Sequence, residues 1–252
     1  MEGVSVIMPS YLGEYAGSRS DSSLKFKRAV DSFLANTIEN KELIIVSDGC
    51  EITNKIYDFY FKDLDNVRLI RAEKQTEVWP GALRECGRSL AKYDWITYLD
   101  SDDVYLNNHL ERILNETKNT KEKVIMTRAK AFPLYPWEEA IKMPMMMAFY
   151  GVPDEKSYEE KYGKYSVELP ELKELGINID RWYIGIFTHF GATWQISHHK
   201  NIAARWQSQD SEGEDGNFVL NATKDGYHEI QNPGYLPCHH AYPHTRETVW
   251  DF

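Results

Sequence analysis

The sequence predicts an α/β fold with a mostly parallel central sheet flanked by helices. Three observations point there. Short β-rich runs alternate with segments of helical period through the first half of the chain, the rhythm of βαβ units. Polar clusters follow directly on the predicted strands, where open parallel sheets gather their ligand-binding residues. A chain of 252 residues, 42 % hydrophobic and 27 % charged, can bury a core without staples, which argues against disorder.

Val4-Ser5-Val6-Ile7-Met8 reads as a buried strand ended by Pro9-Ser10-Tyr11, and 12–23 as a polar loop. Leu24, Phe26, Val30, Phe33 and Leu34 then recur at helical spacing, with Ser22 or Ser23 as N-cap. A second strand, Leu43-Ile44-Ile45-Val46, stops at Ser47-Asp48-Gly49; a helix through Ile56, Phe59 and Tyr60 leads to a third strand at 67–70. A helix over 80–91 precedes the fourth strand, Trp95-Ile96-Thr97-Tyr98-Leu99, which runs straight into Asp100-Ser101-Asp102-Asp103. A helix near 108–117 and a fifth strand at 124–127 complete the regular half. The stretch 131–191, rich in methionine and aromatic residues, receives no assignment; such residues line binding surfaces and fill cores alike.

Composition excludes several classes. The net charge of −10 disfavours non-specific nucleic-acid binding, which needs Lys and Arg to neutralise phosphates. No apolar run approaches the roughly 18–20 residues of a bilayer span, and Met1-Glu2-Gly3 carries no basic signal-peptide region. Three scattered cysteines fit a reducing compartment better than a disulfide framework. The expectation is a soluble, cytoplasmic protein.

Three constellations carry chemistry. Three carboxylates within Asp100-Ser101-Asp102-Asp103 repel one another unless a cation or hydrogen-bond donors compensate. Mg²⁺ typically takes one or two carboxylates plus substrate phosphates; a calcium loop is excluded because Val104 and Tyr105 stand where that loop needs an oxygen ligand and a glycine. The plain alternative is a solvated turn capping the next helix. Glu214-Asp215, set between glycines ahead of Phe218-Val219-Leu220, suits either a general base or an ordinary acidic helix N-terminus. Cys238-His239-His240 and His244 bring imidazoles together, without the second ligand pair of a zinc site. His198-His199 reads as surface or core polar residues. Phosphate-loop, GxGxxG, GxSxG and HExxH signatures are missing.

Taken in order, Val4–Tyr11, Glu42–Gly49, Gly81…Arg84…Gly87, Trp95–Asp103 and Glu214-Asp215 resemble a family 2 glycosyltransferase of the GT-A fold. The resemblance is dense over 3–128 and thinner over 190–245. It implies a single domain over 1–252, with a nucleotide-sugar-binding half (1–128) and an acceptor-binding half (129–252). It implies that Pro9, Ser10 and Tyr11 lie against the nucleotide, with Asp48 near the base and Arg84 on the nucleotide side. Asp100, Ser101 and Asp102 would form the DxD element, Asp100 towards ribose or metal and Asp102 as main ligand of Mn²⁺ or Mg²⁺; His240, or a neighbouring histidine, would complete the site. Asp215 would deprotonate the acceptor hydroxyl, with Glu214 beside it. The chain departs from the family at Leu12 (usually Asn), Ser47 (usually acidic) and Glu85 (usually Asn).

The implied activity is metal-dependent, inverting transfer from a nucleotide-diphosphate sugar, UDP-sugar favoured, to an acceptor hydroxyl. The acceptor class stays open among saccharide, lipid-linked glycan, protein and modified nucleobase. A retaining transferase and a non-catalytic binder of sugar nucleotides or glycans are the alternatives. A nucleotidyltransferase is more distant, for want of a Gly-rich, Lys-containing loop after the first strand.

Overall fold

In the computed structural model the described residues are 1–14, 22–74, 80–133, 166–167, 182–186, 192–207, 213–232 and 234–236. In chain order they form β1 (Val4–Ser10), α1 (Ser22–Leu34), β2 (Lys41–Asp48), α2 (Glu51–Tyr60), β3 (Val67–Ala72) and α3 (Gly81–Ser89). There follow β4 (Trp95–Tyr98), β5 (Val104–Tyr105), α4 (His109–Thr117), β6 (Val124–Thr127), β7 (Ala129–Pro133), β8 (Ser166–Val167) and β9 (Trp182–Ile186). Last come β10 (Ile196–His199), α5 (Glu214–Thr223), β11 (His228–Ile230) and β12 (Tyr235–Leu236).

The main sheet has seven strands in the order β11-β6-β10-β4-β1-β2-β3. β1 pairs in parallel with β2 and β4, and β2 with β3; β10 runs antiparallel between β4 and β6, and β11 is parallel to β6. Every residue of β1 and β2 is buried, as expected of strands covered on both faces. Alternation along them sorts the core into two layers. Val4, Val6, Met8, Leu43 and Ile45 meet Phe26, Val30 and Phe33 of α1, Ile56 of α2 and Leu110 of α4. Ile7, Ile44 and Val46 meet Leu83 of α3, Phe218 and Val219 of α5, and Trp206. The expected α/β architecture is thus observed.

Several details differ from the sequence reading. Pro9 lies within β1 and does not end it, because β4 stops pairing at Ile7 and leaves no ladder bond for a proline to break. Ser22 is helical rather than a cap; its hydroxyl donates to the Leu12 carbonyl. Part of the unassigned stretch forms a small antiparallel sheet, β7-β9-β8. His198 lies on a central strand and is fully buried: Trp206 Nε1–H donates to the Tyr98 hydroxyl (2.6 Å), which meets His198 Nε2 at 2.8 Å. Among the described residues no helix is long and apolar enough to cross a membrane. His239, His240, His244 and the run Met143–Met147 lie outside the described residues.

Candidate functional site

The carboxyl ends of β1, β2, β3 and β4 open on one edge of the sheet, and the start of α5 is brought to the same edge. The acidic turn follows β4. Asp103 N–H donates to the Asp100 carbonyl at 3.1 Å, closing a tight turn. Its three carboxylates then part company. Asp103 is buried and accepts from the Tyr235 hydroxyl at 2.7 Å. Asp100 faces Arg84, its Oδ1 at 3.0 Å from Nη2. Asp102 is half-buried, and Ser101 lies beside it at the turn's surface.

Burial and then the charge of Asp100 push the Asp102 carboxyl up to about 7, while Lys25 and Arg28 pull it the other way. Both cations are buried on α1. Helical spacing puts them on the face that carries Ser32, whose hydroxyl oxygen accepts from the Tyr105 N–H just past the turn. Two crowded carboxylates of this kind offer hard oxygen donors to a divalent cation that takes its remaining ligands from phosphate and water. Among the described residues no group of three metal-ligating side chains converges on one point.

Arg84 is the centre of the site. It projects from α3, is 4 % exposed, and holds three carboxylates on one guanidinium: Glu214 Oε1 at 2.6 Å, Asp215 Oδ1 at 3.0 Å and Asp100 Oδ1 at 3.0 Å. Burial works to lower its pKa, but Asp100, Asp215 and Glu214 outweigh that and hold it above the ordinary value. Trp206 lies against it, the guanidinium carbon 4.9 Å from the ring centroid, and stacks in turn on Phe218 of α5 at 4.0 Å. Glu85, which replaces the family's usual Asn, fixes this segment by accepting from the Trp206 N–H at 3.1 Å and pairing with Arg88 at 2.7 Å.

Glu214 and Asp215 differ sharply. Glu214 is 4 % exposed, and both its oxygens are occupied, one by Arg84 and the other by the Gly81 N–H at 2.7 Å. Burial, together with Asp215 and against Arg84, raises its pKa. The Asp215 side chain is one-third exposed and has Arg84 on one oxygen. Of the pair, Asp215 can meet an incoming hydroxyl, and Glu214 holds the helix start in place.

On the far side of β1, the Tyr11 hydroxyl accepts from Lys74 Nζ at 2.9 Å, and the same ammonium sits 4.6 Å from the ring centroid. Asp48 closes β2 and is nearly buried, beside Gly49, whose φ of +60° lets the chain turn tightly under Lys74. Ser10 is buried and its hydroxyl pairs with Thr53 of α2 at 2.9 Å; Pro9 is buried in the sheet. Sequence reading did not find Lys74, Lys25, Arg28, Trp206 or Tyr235. Lys74 sits just past a strand end, the one signal that marked the others, whereas the rest are placed by tertiary packing alone.

The family model described as Glycosyl transferase family 2 matches residues 5–166, beyond the densely resembling stretch 3–128. An uncharacterized glycosyltransferase of Haemophilus influenzae is 36 % identical over 117 residues, 44 % of this chain and 41 % of that protein. The UDP-Gal:alpha-D-GlcNAc-diphosphoundecaprenol beta-1,3-galactosyltransferase of Escherichia coli is 29 % identical over 141 residues, 54 % of this chain and 47 % of that protein. The chain therefore spans less than half the length of these curated relatives. Among solved structures, S. aureus TarS 1-349 aligns with a TM-score of 0.63 at 15 % identity, covering 94 % of this chain and 60 % of that one. TarS 1-349 in complex with UDP-GlcNAc aligns with a TM-score of 0.60 at 16 % identity, covering 93 % and 58 %. At these identities what is shared is the fold.

Proposed function

The chain belongs to glycosyl transferase family 2, and from that premise we propose that it moves a sugar from a nucleotide-diphosphate donor, most simply a UDP-sugar, to an acceptor hydroxyl with inversion. The observation that carries this reading is that one buried guanidinium, that of Arg84, is shared by Asp100 of the acidic turn and by Asp215 at the start of α5. A carboxylate able to take a proton thereby stands next to the turn that would carry the donor's diphosphate. Support for the nucleotide comes from the TarS complex with UDP-GlcNAc and from the UDP-Gal-dependent relative of Escherichia coli.

In the reaction the acceptor oxygen attacks the anomeric carbon, the bond from that carbon to the diphosphate oxygen breaks, and the acceptor proton passes to Asp215. Tyr11, Asp48 and Lys74 orient the nucleotide. Arg84 holds Asp215 in place, and Glu214 anchors the start of the helix that carries it. Asp100 and Asp102 are the side chains that would hold Mn²⁺ or Mg²⁺, and His240, the further ligand that the family resemblance implies, lies outside the described residues. Such a cation, when bound, offsets the negative charge that grows on the departing diphosphate.

A panel of nucleotide sugars with Mn²⁺ identifies the donor, and NMR of the product's anomeric proton reads inversion directly. Asp215→Asn is expected to lower turnover by about 10²–10⁴-fold, the usual worth of a positioned general base, with UDP binding unchanged. Full turnover by a folded Asp215→Asn protein would remove the proposed base.

A further inference from the structure

Tyr235 bridges the two ends of the acidic turn. Its hydroxyl donates to Asp103 Oδ2 at 2.7 Å and lies 3.3 Å from the Asp100 backbone N–H, which it accepts. The residue is 1 % exposed and is delivered by β12, where it stands opposite Tyr105 in the antiparallel pair with β5. Its ring packs edge-on against Tyr105 at 5.6 Å and lies 6.2 Å from Trp194. Leu106 N–H donates to the Gly234 carbonyl at 2.7 Å, so the residue before Tyr235 is tied to the strand that leaves the turn. One phenol thus does two things to a four-residue loop. It holds the third carboxylate to itself, apart from Asp100 and Asp102, and it fixes the first amide of the turn.

We propose that Tyr235 is a positioning residue for donor binding: its hydroxyl sets the backbone of the Asp100–Asp103 turn and so the presentation of Asp100 and Asp102 to a metal-bound nucleoside diphosphate. This rests on the function proposed above and adds a residue from the C-terminal side of the chain to the donor site. The hydroxyl touches neither donor nor metal and acts through the turn. Removing it should therefore loosen the turn before it harms anything else.

The test is Tyr235→Phe, which keeps the ring and its packing. Circular dichroism first shows that the variant is folded. Hydrogen exchange without ligand then reads the turn itself: the Asp100 amide is expected to exchange about tenfold faster, with the amides of β1 and β2 unchanged. Calorimetry with UDP and Mn²⁺ reads the consequence, an expected weakening of about tenfold that is much smaller for UDP alone. Asp103→Asn, alone and combined with Tyr235→Phe, should show effects smaller than their sum, because both touch the Tyr235–Asp103 contact while only Tyr235→Phe also removes the bond to the Asp100 N–H. Unchanged exchange at Asp100, or unchanged UDP·Mn²⁺ affinity, in a folded Tyr235→Phe protein overturns this inference alone. Failure of the wild type to bind UDP with Mn²⁺ overturns the proposed function and this inference with it.

Discussion

Arg84 shows how one side chain can organise a site from residues far apart in sequence. Glu214 and Asp215 lie 130 positions and more beyond it, yet all three meet beneath the sheet edge. A planar guanidinium with several fixed donors can serve three carboxylates at once; an ammonium cannot. Glu214, fully enclosed, depends on it most, whereas Asp100 and Asp215 are partly screened by solvent. Removing one partner of a buried ion pair costs about 3–5 kcal/mol, so Arg84→Met should destabilise by that order in urea unfolding. Adding Glu214→Gln should recover part of the loss, with a coupling of about 1–3 kcal/mol for groups in direct contact. Strict additivity in that double-mutant cycle would mean that the pair contributes nothing. In the sequence, Arg84 was visible as a family position on the nucleotide side. Its bond to the Glu-Asp pair was not, since no local pattern encodes which distant carboxylate a buried cation will meet.

At the level of elements, α3 and α5 are joined by a close approach that only glycine permits. Gly81 opens α3 with its N–H on Glu214, and a Cβ there would lie 2.5 Å from the Gln207 carbonyl and closer still to the Glu214 carboxylate. Gly213, one residue before α5, has φ +99° with open space around it. The two glycines therefore fail differently. Gly213→Ala meets only backbone strain, about 1–2 kcal/mol, and should keep most of its transfer activity. Gly81→Ala must push Glu214 and the start of α5 aside; overpacking of this kind costs about 1–3 kcal/mol, and transfer should fall well beyond what the lost stability explains. Urea midpoints and turnover on the same samples separate the cases, and full turnover by Gly81→Ala would show that this contact does not set Asp215. Elements with strong periodicity, such as α1 and β2, were legible in the sequence to within a few residues. β5 and β12, each two residues long, were not, because so short a strand exists only through its partner. β10 was also missed: Ile196-Ser197-His198-His199 alternates too weakly to announce a strand, and its two histidines suggest a surface more readily than the middle of a sheet.

For the molecule as a whole, the histidines in the core tie stability to pH. Burial lowers the pKa of both His109 and His198 to about 3; around His198, Arg88, Arg205 and His199 act the same way against a bond to its own neighbour's carbonyl. The geometry agrees. Trp206 can only donate to the Tyr98 oxygen, so the Tyr98 hydrogen is directed to His198 Nε2, and Nδ1–H is left for the His199 carbonyl at 3.0 Å. A second proton on His198 would take away the acceptor of the buried Tyr98 O–H. Because the folded values lie below the ordinary histidine value of 6.5, the unfolded chain takes up protons first as pH falls. The stability that the neutral rings contribute is therefore complete above about pH 6.5 and is lost progressively from there down to about pH 3. Asp102 and Glu214 act in the opposite sense, since their raised values make the folded state the better proton acceptor. The wild-type slope is thus a difference, and a variant isolates the part due to one ring. His198→Gln keeps an acceptor for Tyr98 but cannot titrate, so between pH 6.5 and 5 it should lose about 1.5 kcal/mol less stability than the wild type. Urea midpoints at the two pH values measure this directly: parallel losses in both proteins would mean that His198 takes up its proton in the native core over the same pH range as in the unfolded chain, and that the Trp206-Tyr98-His198 relay, which links β4 and β10 to the segment before α5, is arranged some other way.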